Sequence, residues 1–115
     1  MRSSISASEY GRRAETLAAI WLRLRGYRIL GRNVRVAGRE VDVVARRGRT
    51  LVVCEVKARR SRSRGAPVEA VDPRKQRRLV EAGEMLRLAH PGVKRVRFDV
   101  IAVDGLRVTH VPAAF

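Results

Sequence analysis

The chain is poor in the residues that tie small extracellular domains together. It has one cysteine, Cys54, in 115 residues, so no internal disulfide can form and no cysteine partner exists for a structural zinc site; both points fit a reducing compartment. Cys54 is expected to be a small buried apolar side chain. The two histidines, His90 and His110, stand too far apart to give a metal-ligand spacing. Aromatics make up only 4% of the chain, and with Trp21 and Phe98 expected in the core, little remains to stack on splayed single-stranded bases. Met1 to Tyr10 holds no apolar stretch of signal-peptide type, and no later run approaches membrane-spanning length. A soluble, cytoplasmic protein with no membrane partner is expected. Acidic residues are scarce as well, 11 against 26 basic ones.

The resulting net charge of +15 creates a field that attracts phosphate backbones, so the natural partner is a nucleic acid. Arginine occurs 23 times and lysine three times. A coding preference explains arginine in place of lysine, but it does not explain the imbalance of sign. The cations are spread along the chain instead of lining one face of an amphipathic helix, which counts against an anionic membrane surface. A chain of this length with 45% hydrophobic residues supports one core and therefore one domain, residues 1–115.

Periodicity divides the chain into seven elements. Ser6 and Glu9 have the spacing of a capping box after a mobile N-terminus of about residues 1–6. Tyr10, Ala14, Leu17, Trp21 and Leu24 then recur at three or four residues and predict a helix over about 7–25, stopped by Gly26. Strands are expected over 27–36, 40–45 and 51–57, the last almost continuously apolar and hence central. A basic loop follows over about 58–70. Asp72 as N-cap and Pro73 at the first helical position open a second helix, with an apolar stripe of Leu79, Ala82, Leu86 and Ala89. Strands over 96–103 and 106–111, joined at Asp104-Gly105, complete the chain. The order αβββαββ implies an α/β fold in which a mixed five-stranded sheet is flanked by helices. The crossover makes the third and fourth strands parallel neighbours.

One cluster of residues carries chemistry. Glu55 and Lys57 lie two residues apart on the third strand and so share a face. A charged pair on a mostly apolar strand is costly unless each charge finds a partner. Asp42 lies on the preceding strand, with Val41 and Val43 expected to point away from it, and it meets Glu55 if the two strands pair through the turn at Gly48. Two carboxylates beside one ammonium suit Mg²⁺, which uses one or two carboxylates and takes phosphate oxygens as further ligands; Mn²⁺ is the natural substitute. Lys57 can then neutralise charge on an attacked phosphate or position the attacking water. In a chain that takes arginine for almost every cation, lysine at this position points to a compact, titratable amine.

Asp42 followed by Glu55-Val56-Lys57 resembles the PD-(D/E)xK nuclease signature. Gly11-Arg12-Arg13-Ala14-Glu15, Gly26 to Leu30, Arg32-Asn33, Gly38 to Asp42, Arg97 to Val100 and the terminal His110 to Phe115 further resemble the YraN-like family of bacterial proteins, over nearly the whole chain. The resemblance implies a restriction-endonuclease-like fold related to that of Holliday junction resolvases. It also implies metal-dependent endonuclease activity on DNA, duplex or branched, and by analogy a homodimer that cuts two strands. Ala14 stands where the family usually has glycine, and Arg39 lies between Gly38 and Glu40. Related nucleases place a helix glutamate where it completes the metal shell, which marks Glu15 as a third metal ligand and catalytic residue. Around this centre Arg59, Arg60, Arg62, Arg64 and Lys75 are candidates for gripping the phosphate backbone, positioning it without reading sequence. A module that binds nucleic acid without cleaving it is the alternative.

Overall fold

The computed structural model describes residues 7–59 and 72–115. The N-terminal residues 1–6 and most of the expected basic loop, including Arg60, Arg62 and Arg64, lie outside the described residues. Helix α1 (Ala7–Leu24) is followed by strands β1 (Arg28–Val36), β2 (Arg39–Arg47) and β3 (Thr50–Arg59). Helix α2 (Pro73–Ala89) and strands β4 (Arg95–Asp104) and β5 (Arg107–Val111) complete the order. The five strands form one sheet in the order β1-β2-β3-β4-β5, antiparallel except for the parallel pair β3–β4. The fold is therefore α/β with a mixed five-stranded sheet, as the element order predicts.

Each helix covers one face of the sheet. Ala14, Ala18 and Leu22 of α1 pack on Val43, Ala45, Val52, Cys54, Ile101 and Val103. Leu79, Ala82 and Leu86 of α2 pack on Val41, Val44, Leu51, Val53 and Val100 on the opposite face. The strand β3 is buried on both sides, which explains its near-continuous apolar run. Each fully buried leucine or valine contributes about 1.5–3 kcal/mol. Among the described residues, no helix is long and apolar enough to cross a membrane.

Local chemistry sets the boundaries. Gly26 at φ +89° ends α1, and Asp72 caps α2 by accepting the Lys75 N–H. The β4–β5 turn falls one residue later than expected: Asp104 pairs with Arg107, so Gly105 and Leu106 make the turn and Gly105 takes the positive φ. Two expectations are corrected. Ala58 and Arg59 do not begin a loop; they extend β3 in register with Val103 and Asp104 of β4. Val41 and Val43 do not share a face either, because they belong to opposite cores.

Candidate functional site

That loss of parity builds the site. On a regular strand, residues two apart share a face. Val34 and Val41 are cross-strand partners and both join the α2 side. The next partners, Arg32 and Val43, face α1: Val43 lies in the α1 core, and Arg32 donates to Thr16 Oγ1 at 3.0 Å. Both strands thus turn over between these pairs, β1 at Asn33 with φ +52° and β2 at Asp42. The β2–β3 ladder stops at Val43–Cys54, and beyond it the Val56 N–H donates to Asp42 Oδ2 at 2.8 Å. The aspartate side chain takes a donor on β3 where backbone pairing has ended, and this holds its carboxylate against the third strand.

Glu55, on β3, is only 6% exposed. Its carboxylate is ringed by cations. Lys75 Nζ from the first turn of α2 donates to Oε2, Lys57 Nζ lies 3.6 Å from the same oxygen, and Arg39 approaches Oε1 at 3.7 Å. Asp42 feels Glu55 strongly. Withdrawal from water, then repulsion by Glu55 and more weakly by Glu15, pushes its carboxyl up to about 6, against the Val56 hydrogen bond and the Lys75 charge. The Lys57 ammonium is pushed down by burial and by the neighbouring Lys75, with Glu55 opposing. Asp42, Glu55 and Lys57 therefore form one electrostatic unit with Lys75 and Arg39.

Glu15 stands apart from this unit. It projects from α1, on the sheet face opposite α2, where Asn33 Nδ2 donates to its Oε1 at 3.0 Å and Arg32 lies 3.9 Å away. It reaches Asp42 through its charge. Arg59 continues β3 beyond Lys57, and its carbonyl accepts the Tyr10 hydroxyl, which ties the strand end to α1. Sequence reasoning missed Arg39. Its signal was present: the Ala37-Gly38 turn, with both residues at positive φ, starts β2 at this residue, three positions before Asp42. The sequence makes Lys75 a candidate phosphate ligand, yet its amine pairs with Glu55.

A second polar cluster lies under α1. Asp99, 1% exposed, accepts from Arg97 Nε and NH2 at 2.9 and 2.8 Å, from His110 Nε2 at 2.7 Å and from the Ala113 N–H at 3.0 Å. Burial alone would raise its carboxyl, but these donors outweigh it and hold Asp99 below the usual carboxylate range. Arg97 also donates to Tyr27 Oη. These bonds tie β4 to His110 of β5, to Ala113 and to Tyr27, which follows α1. Cys54, in register with Asp99 on β3, is buried and its thiol is pushed well up by burial, as expected of an inert core residue.

The model of the family described as Uncharacterised protein family UPF0102 matches residues 14–103. The chain belongs to that family. It is 51% identical over 110 residues to a UPF0102 protein of Anaeromyxobacter dehalogenans, covering 91% of this chain and 82% of the relative. It is 46% identical over 112 residues to one of Geobacter sulfurreducens, covering 91% and 87%. With one of Sphingopyxis alaskensis it shares 50% over 106 residues, covering 90% and 88%. The matched segment spans Glu15, Arg39, Asp42, Glu55, Lys57 and Lys75, so in this UPF0102 chain the whole candidate site falls inside the family domain.

Proposed function

We propose that this UPF0102 chain is a metal-dependent endonuclease that hydrolyses phosphodiester bonds of DNA, duplex or branched, on a restriction-endonuclease-like fold. The observation that carries the reading is the meeting of Asp42 with Glu55. Two acids are held together where the β2–β3 ladder ends, even though burial and mutual repulsion push one of them up to about 6. Such an arrangement is costly unless the acids share a cation. The donor set fits Mg²⁺ or Mn²⁺, which needs few carboxylates: Asp42 and Glu55 would hold the ion, with Glu15 joining if it leaves Asn33. An ion held by these residues would supply Lewis acidity toward a phosphate oxygen and toward water. Lys57 neutralises charge developing on the phosphate and orients the attacking water. Lys75 and Arg59, with Arg60, Arg62 and Arg64, grip the backbone. Cutting both strands of a branched substrate needs two centres, which favours a homodimer, and a cytoplasmic location goes with the reading.

One observation favours a second reading, a nucleic-acid-binding module or DNA-processing accessory factor that does not cleave. Among the described residues, no three of the His, Cys, Asp and Glu side chains gather closely enough to hold an ion, and Glu55 is already paired with lysines. The two readings separate when the purified chain is incubated with linear duplex, single-stranded, flap and four-way-junction DNA in Mg²⁺ or Mn²⁺. Under the first, Lys57→Ala lowers cleavage by about 10²–10⁴-fold, the scale of a lost polar catalytic group, while most binding survives. Binding without cleavage by the unaltered chain would favour the second, and equal cleavage by the variant would remove Lys57 from the chemistry.

A further inference from the structure

Beside Glu55 lies a cavity of about 200 Å³ lined by Arg39, Asp72, Arg74, Lys75 and Arg78, room for several water volumes of about 30 Å³ each. Four cations from two elements, β2 and α2, converge there. The acid among the lining residues, Asp72, already caps the helix through the Lys75 N–H. Among the described residues, Arg39 Nε is buried without a hydrogen-bond partner, and the 3.7 Å approach of its NH2 to Glu55 is longer than a hydrogen bond. The cavity thus holds an excess of positive charge, and its lining includes two of the three cations that ring Glu55.

We propose that Arg39, Arg74, Lys75 and Arg78 form a binding site for a phosphate group, and that its occupation draws Lys75 and Arg39 away from Glu55. The proposal builds on the reading of Asp42 and Glu55 as a metal site. Without phosphate, Lys75 stands on Glu55 as a substitute cation and competes with a divalent ion for the same carboxylate. Once phosphate sits in the cavity, the lysine has a second anion to pair with and Glu55 is freed. Binding of phosphate and of metal must then reinforce each other, by the reciprocity of linked equilibria.

Two sets of measurements test this. The first uses metal-free protein in chelator. Inorganic phosphate binding is followed by ³¹P resonance shifts, and binding of a short duplex by anisotropy, for the wild type, Arg74→Ala/Arg78→Ala, and a charge control, Arg23→Ala/Arg107→Ala. Loss of affinity of about fivefold or more in the cavity variant, with the control near wild type, supports the site. If the loss is seen with the duplex, the ligand is a backbone phosphate; if with inorganic phosphate alone, it is a free phosphate group. Equal behaviour of cavity and control variants overturns the site.

The second set follows Mn²⁺ binding by the electron-spin signal of the free ion. Lys75→Met is expected to bind Mn²⁺ about tenfold more tightly than wild type without DNA, and to gain less from added duplex. Equal or weaker binding by Lys75→Met overturns the coupling. Absence of Mn²⁺ binding in both proteins, with and without duplex, overturns the metal-site reading and the coupling with it; the phosphate site is judged by the first set alone.

Discussion

Asp42 and Asp99 are both aspartates withdrawn from water on strands flanking β3, and their partners drive them in opposite directions. Asp99 accepts four hydrogen bonds from Arg97, His110 and Ala113, whereas Asp42 accepts one from the Val56 N–H and faces Glu55. The signs follow by linkage. Asp42 has a folded pKa of about 6 against an ordinary 3.8, so between those values the folded chain keeps a proton that the unfolded chain has released, and stability falls as pH rises. Asp42→Asn keeps an acceptor for Val56 and removes the charge. At pH 7 it is expected to stabilise the chain by about 1–2 kcal/mol, taking ~1.4 kcal/mol per pKa unit and discounting for partial exposure. The gain should vanish below about pH 4, and melting curves at pH 4 and pH 7 check it; a variant less stable at pH 7 would refute the cost assigned to this site. Asp99 is held low, so its contribution is present above the ordinary carboxylate range and is lost as pH falls through its depressed folded value. Asp99→Ala strands Arg97 and His110 and is expected to cost about 3 kcal/mol at pH 7, measurable by urea unfolding. The same change is expected to flatten the acid limb of the stability curve.

At the scale of the element, α2 lies so close to β4 that one position tolerates no side chain. A Cβ on Gly83 would stand 2.9 Å from the Phe98 ring and 3.1 Å from Val96 Cγ1, and the ring is itself stacked on Phe115 at 5.3 Å. Gly83→Ala gains about 1 kcal/mol of helix propensity but meets an overpacking cost of about 1–3 kcal/mol, so a net loss is expected. Phe98→Leu, by removing the ring tip, is expected to make the same Gly83→Ala change favourable. A double-mutant cycle by thermal melting checks the sign reversal.

The elements were legible in the sequence where periodicity was regular and capped. The helix α1 shows a clean apolar spacing and a Gly26 stop, α2 has Asp72 and Pro73, and β3 has an apolar run. The turn-over of β1 and β2 was not legible, because period-2 reasoning assumes that parity persists. Here it breaks at Asn33, a non-glycine residue at positive φ, and at an aspartate whose side chain replaces a ladder partner. That break is what brings Asp42 toward Glu55 and separates Val41 from Val43. Asp42 meets β3 at the Val56 N–H by a route the sequence pattern did not contain. Lys75 and Arg39 were harder still, since only tertiary packing brings the start of α2 and the start of β2 to the same carboxylate.

For the whole molecule, a net charge of +15 makes any nucleic-acid affinity salt-dependent, and the open question is whether the charge acts diffusely or at one place. Arg39, Lys57, Arg74, Lys75 and Arg78 gather around Glu55 and its adjoining cavity, whereas Arg23 and Arg107 are exposed on α1 and β5. If these five cations meet five phosphates, the logarithm of the duplex binding constant falls against the logarithm of salt with a slope of about −4 to −5, a loss of several hundredfold between 50 and 200 mM. A diffuse field predicts a similar change in slope for any pair of arginines removed. A localised interface predicts that Arg74→Ala/Arg78→Ala shallows the slope by about 2 while Arg23→Ala/Arg107→Ala leaves it unchanged. Anisotropy titrations of a short duplex across a salt series distinguish the two. Equal slopes for both variants would mean that the chain attracts DNA through its overall charge, and the cations around Glu55 would then serve the carboxylate alone.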